Sequence, residues 1–130
     1  MSTQTPIDRE LFLTALAEHF PEVSARISDL ESGLLHPEMG VVSDATRSAI
    51  EAGNWQAVAA HFGFVGEVFA AGDEAVRNAV YVSYLENVLL GETATPFLSA
   101  RAMLPPVLAE AMVELEAHFE RLARASRNDA

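Results

Sequence analysis

Histidines are the side chains in this sequence best suited to acid–base chemistry, and three of the four are followed by phenylalanine. They are His19, His61 and His118, in the segments "LAEHF", "VAAHF" and "LEAHF". An imidazole titrates near neutral pH, so it can transfer a proton or bind a metal through a ring nitrogen. The recurring dipeptide therefore indicates either a repeated site or a repeated way of packing a helix.

The flanking residues distinguish the three histidines. With a step of 100° per residue, each phenylalanine falls near the centre of an apolar helical stripe and each histidine at its border. His19 and His118 share their helix flanks with the acidic residues Asp8 and Glu114, so we expect both to be exposed packing residues. His61 has apolar neighbours on its own helix, which predicts that it is enclosed.

An enclosed imidazole costs about 1–3 kcal/mol unless it forms a hydrogen bond. If the helices on either side of Gly72 form a hairpin, Ser83 lies level with His61, and Asn78 lies level with Gly66, whose missing side chain permits close approach. This placement predicts an internal polar network of His61, Asn78, Ser83 and Glu86. Its functional alternative is a pocket lined by His61, Tyr81, Tyr84 and Glu86.

The sequence lacks the residues that most other catalytic mechanisms require. The chain has no cysteine and no lysine, which excludes thiolate nucleophiles, cysteine-ligated metals and Schiff-base catalysis. Phosphate-binding glycine loops, the hydrolase serine motif and the zinc H-E-x-x-H motif are missing from the sequence. Glu114 and His118 lie one turn apart but supply two metal ligands at most. We therefore predict no catalytic residue, no metal and no cofactor.

The net charge of the chain indicates which class of partner it can bind. Nineteen acidic residues against eight basic ones give a net charge of −11, which repels phosphate backbones and favours a basic protein or peptide over nucleic acid. Glu67, Arg77 and Glu86 interrupt the longest apolar stretches, so no membrane span is expected. The first residues lack the basic start and apolar core of a signal peptide, and we expect a cytoplasmic protein.

Apolar residues recur with the helical period from end to end, which predicts an all-α chain. We expect a single domain over residues 1–130, with residues 126–130 as a frayed tail. Thr5 and Pro6 are predicted to begin the first helix, while Asn54 and Asp73 are predicted to cap two later ones. The predicted helices cover residues 7–19, 22–31, 39–53, 54–72, 73–91, 96–103 and the chain from 105 or 106 onward.

The arrangement of these helices leaves two alternatives. Short connections favour antiparallel neighbours, as in a right-handed α-α superhelix of about six to seven helices of the armadillo or HEAT type, or in an irregular helical bundle. The spacing between the first two "HF" segments matches the HEAT and armadillo period, but the second spacing does not. Residues 74–90 are apolar around almost the whole helical circumference, which indicates a central helix.

Four segments between Ser48 and Pro106 carry a family resemblance: "AGNW", "HFGFV", "VRNAVYVSYLENV" and "ARAMLPP". With them the chain resembles a family of small uncharacterised bacterial proteins, known as a domain of unknown function. The resemblance implies an all-helical, armadillo-like superhelix. It implies no activity and no catalytic residue.

These observations predict a non-enzymatic protein-interaction module that presents an acidic groove to a basic partner. One specific form is an immunity-type protein that masks a basic toxin. The alternative is a small-molecule-binding protein or an enzyme that uses a cavity around His61. A third hypothesis is homodimerisation through a helix face.

Overall fold

The computed structural model describes residues 5–128, and over this range the chain is all-α, as the sequence predicts. Helix α5 is continuous but changes type along its length, with an α-helical start at Glu74–Ala79, a π-helical segment at Val80–Leu85 and an α-helical end at Glu86–Val88. The other helices are α1 (Arg9–His19), α2 (Pro21–Ser24), α3 (Leu35–Glu51), α4 (Trp55–Ala71), α6 (Thr95–Arg101) and α7 (Pro106–Asn128).

The start of α1 differs from the prediction. Asp8, rather than Thr5, is the N-cap, and its carboxylate accepts a hydrogen bond of 2.9 Å from the Leu11 N–H. Ile7 is held in extended conformation because its N–H donates to the Ala71 carbonyl and its carbonyl accepts from the Asp73 N–H, both at 2.8 Å. This pairing holds the segment against the α4–α5 turn, so α1 begins after Asp8 and not at Ile7.

The predicted helix over residues 22–31 is wrong beyond its first turn. α2 ends at Ser24, and the chain then runs through turns to α3. The Glu31 carboxylate accepts a 2.9 Å hydrogen bond from the Ser28 N–H and a second one from the Ser28 hydroxyl, which in turn accepts from the Leu30 N–H. Such local side-chain bonds offer the backbone an alternative to the helix.

α3 begins earlier than predicted, so His36 and Pro37 lie in its first turn rather than in a connection. Proline suits this position because the first helical N–H groups have no intrahelical acceptor. Glu38, 1% exposed, accepts hydrogen bonds of 2.7 and 2.6 Å from the Arg9 guanidinium and one of 3.0 Å from the Gly33 N–H. The buried carboxylate therefore joins α1, the preceding turn and α3.

The predicted caps of α4 and α5 are confirmed. Asn54 accepts from the Ala57 N–H at 3.3 Å, and Asp73 accepts from the Val76 N–H at 2.9 Å. The π-helical segment of α5 was not predicted. α5 packs against α3 over the most extensive helix–helix contact and also touches α1, α4 and α7.

The core continues through α1 to α7, but α7 extends beyond it. Leu115 is the last buried residue of α7, after which Phe119 and Leu122 are 37% and 52% exposed. Residues 126–128, expected to be frayed, are helical, while residues 129–130 of the expected tail lie outside the described range. The superhelix and the irregular bundle both stay predictions. No helix in the described part is both long and apolar enough to cross a bilayer.

Candidate functional site

The Thr46 hydroxyl connects two buried polar side chains in the middle of the core. Its Oγ1 lies 3.0 Å from His61 Nδ1 and 2.8 Å from the Tyr84 hydroxyl, so it joins α3, α4 and α5. Thr46 and Tyr84 are fully buried and His61 is 8% exposed. We call these three residues the Thr46 cluster.

The donor and the acceptor of each hydrogen bond in the Thr46 cluster can be assigned by counting the protons available. Thr46 is the one partner of the Tyr84 hydroxyl among the described residues, and a tyrosine hydroxyl can either donate or accept. Thr46 Oγ1 also lies 3.2 Å from the Val42 carbonyl, which can only accept. Because Thr46 has one proton, all three contacts are satisfied when it donates to Val42 and accepts from both the Tyr84 hydroxyl and His61 Nδ1–H. His61 Nε2 then carries a lone pair.

His61 Nε2 is the ring nitrogen that Thr46 does not engage. This nitrogen has no protein partner in the described part of the chain, where no buried side-chain nitrogen or oxygen lacks one, so Nε2 reaches solvent. His61 lines a depression of about 280 Å³ between α2, α3 and α4. We call it the His61 cleft; its lining is Glu22, Val23, Arg26, Ala45, Ser48, Ala49, Ala52, Asn54, Ala57 and His61.

Burial sets the charge states in this region. It lowers the pKa of His61, an effect that the nearby Glu22 carboxylate opposes and the Arg26 guanidinium reinforces. The Phe20 ring packs edge-on against the imidazole at a centroid distance of 5.0 Å. Burial raises the pKa of Tyr84, although the hydrogen bond with Thr46 opposes the shift. The Thr46 cluster is therefore uncharged at neutral pH.

Ser83, expected beside His61, belongs to a second polar cluster. Its hydroxyl lies 2.7 Å from Nδ1 of His36 in the first turn of α3, and its carbonyl accepts from the Asn87 amide at 3.0 Å. Asn87 also lies 3.5 Å from the Ser43 hydroxyl. These contacts fasten the π-helical segment of α5 to α3.

Asn78, Tyr81 and Glu86 lie on a different face of α5, along a groove between α5 and α7. The Tyr81 hydroxyl donates a 2.8 Å hydrogen bond to Glu114, and burial together with this bond raises the pKa of Tyr81. The groove encloses about 310 Å³. We call it the α5–α7 groove; its lining is Asn78, Tyr81, Val82, Glu86, Glu114, Leu115, His118 and Phe119.

Two further depressions continue the α5–α7 groove. One shares Asn78 and Tyr81 with it and adds Glu74 and Arg77. The other shares Glu114 and extends along α7 past the following residues: Pro106, Ala109, Glu110 and Val113. Together they give the face between α5 and α7 a row of carboxylates beside exposed apolar side chains.

The predicted site residues are thus divided among three places. His61 and Tyr84 meet through Thr46, Ser83 pairs with His36, and the other three line the α5–α7 groove: Asn78, Tyr81 and Glu86. The predicted hairpin register does not hold. A Cβ added at Gly66 would lie 3.5 Å from the Pro105 ring, so Gly66 faces the start of α7, while Asn78 is exposed.

Thr46 and His36 are the two partners that sequence reasoning missed. Thr46 lies one turn from Val42 and Ile50 on the apolar face of α3, and a polar residue at such a position signals a buried hydroxyl that needs partners. His36 lies in a segment predicted as a connection. No group of three or more histidine, aspartate or glutamate residues within residues 5–128 is arranged to hold a metal ion.

Comparison with known families gives one match. The model of a domain of unknown function, DUF7674, matches residues 13–120, which is most of the chain. No curated protein and no solved structure matches the chain significantly.

Proposed function

The chain belongs to the DUF7674 family, and we propose that it is a non-enzymatic binding module whose α5–α7 groove receives a basic, amphipathic segment of a partner protein. The observation that carries the proposal is the lining of this groove, where exposed apolar side chains stand beside carboxylates that form no ion pair among the described residues.

The apolar part of the groove supports a protein segment as the occupant. Val82 is 44% exposed on α5, and Phe119 continues the apolar stripe of α7 beyond its last buried residue. Leu115, which is buried, also lines the groove. An amphipathic helix docks into such a groove through apolar side chains one turn apart.

The charges beside the groove support a basic occupant. Glu86 and Glu114 line it, and Glu74 and Glu110 line its two continuations. The one guanidinium in these linings is that of Arg77, which is already engaged 4.3 Å above the Phe69 ring. Lysine or arginine side chains on the partner would complement the carboxylates and speed association.

The polar groups of the groove support binding rather than catalysis. Tyr81 keeps its proton, because its pKa is raised, and donates that proton to Glu114. A tyrosine acting as a base would need a lowered pKa. In its specific form, the proposal is an immunity-type protein that masks a basic partner in the bacterial cytoplasm.

A synthetic amphipathic peptide of leucine and lysine tests the proposal, with a leucine–glutamate peptide of the same pattern as its counterpart. Labelled peptide is titrated with the protein and followed by fluorescence anisotropy, while amide chemical shifts map the site. We expect saturable binding of the basic peptide, amide shifts confined to α5 and α7, and weaker binding at higher salt.

Paired variants separate the groove from the general charge. The double variant Glu86→Gln/Glu114→Gln should weaken binding about three- to tenfold, the effect of two partly exposed charge pairs. Glu10→Gln/Glu18→Gln makes the same charge change on exposed positions of α1 and should have little effect. Equal losses in both would contradict the proposal. So would sedimentation showing that the groove variant abolishes a homodimer rather than peptide binding.

A further inference from the structure

The His61 cleft has the features of a separate small-molecule site. It lies between α2, α3 and α4, so the α5–α7 groove plays no part in it. Four of its lining residues are alanines, and its volume is about 280 Å³. Walls of this kind suit a small compact ligand.

The ring nitrogen of His61 that Thr46 does not engage reaches solvent, and His61 lines this cleft. His61 is more than nine-tenths buried, and its Nδ1 is committed to Thr46 at 3.0 Å. The proton assignment of the Thr46 cluster leaves the Nε2 lone pair without a donor from the described chain. A ligand that reaches His61 must therefore bring a hydrogen-bond donor.

Charges of both signs lie near that acceptor. Glu22 and Arg26 both line the cleft and both act electrostatically on His61, yet they form no ion pair with each other. A simple anion would be repelled by Glu22, and a simple cation by Arg26. A ligand with an ammonium and a carboxylate group satisfies both.

We propose that the His61 cleft binds a small zwitterion of the α-amino acid class. Its ammonium group donates to His61 Nε2 and pairs with Glu22, while its carboxylate pairs with Arg26. The amide of Asn54, whose Oδ1 accepts from the Ala57 N–H, has its Nδ2–H groups left as donors for the same carboxylate. The alanine walls limit the ligand to a short side chain.

L-alanine is the probe. Acetate carries only its carboxylate group, and methylammonium carries only its ammonium group. Side-chain ¹⁵N and ring ¹H NMR of His61 is recorded during each titration at a pH where the imidazole is neutral. We expect a saturable shift of Nε2 with L-alanine, together with a shift of the Ala57 amide. Acetate and methylammonium should each bind about tenfold or more weakly, since each lacks one charged contact.

Exposed substitutions keep the test independent of folding. Glu22→Gln and Arg26→Gln should each weaken L-alanine binding about tenfold while leaving the amide spectrum intact. Glu18→Gln and Arg121→Gln are matched controls at exposed positions outside the cleft, and they should bind as the parent does. Three results would overturn the proposal: no saturable shift with L-alanine, equal binding of acetate or methylammonium, or unchanged affinity in both cleft variants.

Discussion

At the scale of single residues, Thr46 decides what His61 and Tyr84 can do. Its hydroxyl is the acceptor for both side chains and the donor to Val42, so one small side chain satisfies the polar groups of two larger ones. The sequence predicted an enclosed His61 but placed its partner on the following helix. A hydroxyl on the preceding helix cannot be identified from the surroundings of the histidine alone.

Replacing Thr46 with valine tests this role. Thr46→Val keeps the shape but leaves the buried Tyr84 hydroxyl without an acceptor, so we expect a loss of about 1–3 kcal/mol in the free energy of unfolding. Urea denaturation measures the loss. In the Tyr84→Phe background the same change should cost less, because the orphaned hydroxyl is gone. Strictly additive losses would refute the connection between the two residues.

His61 should also make stability depend on pH. Its pKa is lowered in the folded state, chiefly by burial, from the ordinary value of 6.5, so the unfolded chain takes up the proton first as the pH falls. The neutral imidazole therefore favours the folded state fully above pH 6.5, and this contribution is lost as the pH falls through and below that value. Glu22, Arg26 and Tyr84 are the titratable groups around it.

A His61→Gln variant isolates this contribution. Urea unfolding of parent and variant is compared at a pH above the ordinary histidine value and at one below it. The parent should lose more stability than the variant on acidification, whatever the cost of the substitution itself. Parallel pH profiles would show that His61 titrates alike in both states.

At the scale of elements, the predictable parts are those with local causes. Asn54 and Asp73 are predictable as caps because each is a short polar residue directly before an apolar run. They cap α4 and α5 in the structure. The early part of α3 carries Glu38, which pairs with Arg9 of α1 in a long-range contact. Local sequence carries no sign of that contact or of the π-helical turn in α5.

The π-helical segment carries its side chains into several different surroundings. A regular helix repeats its faces every 3.6 residues, whereas a π-helical turn takes more residues and shifts the faces that follow. Within Val80–Leu85, Tyr84 enters the core, Ser83 meets α3, and Tyr81 and Val82 border the α5–α7 groove.

The α4–α5 turn supports a prediction with a built-in control. A Cβ at Gly72 would lie 2.6 Å from the Val68 carbonyl oxygen and 2.9 Å from Val76, so Gly72→Ala should destabilise the fold by about 1–3 kcal/mol. Gly63, inside α4, has open space around its Cβ position, and Gly63→Ala should stabilise by about 0.5–1 kcal/mol. Thermal unfolding of both variants measures the difference, and shifts in the same direction would contradict this packing.

At the scale of the whole molecule, repulsion among the excess carboxylates opposes the folded state, and a few ion pairs offset this repulsion locally. Arg9 meets Glu38, Arg47 meets Glu92 at 2.8 Å, and Arg101 forms a bidentate pair with Glu116. The first pair joins α1 to α3, and the last joins α6 to α7. The remaining carboxylates far outnumber the remaining guanidinium groups, so repulsion dominates the long-range electrostatics.

This balance predicts that salt stabilises the folded chain. Raising the ionic strength from about 0.01 to 0.15 M shortens the screening length from about 30 to 8 Å, which weakens long-range repulsion more than ion pairs in direct contact. The urea midpoint should therefore rise with sodium chloride, and rise less in Glu10→Gln/Glu18→Gln, whose net charge is smaller. A falling midpoint would show that the ion pairs dominate. Salt is expected to stabilise the fold. If salt weakens the binding of a basic peptide, the cause is therefore screening of the charges in the α5–α7 groove and not unfolding.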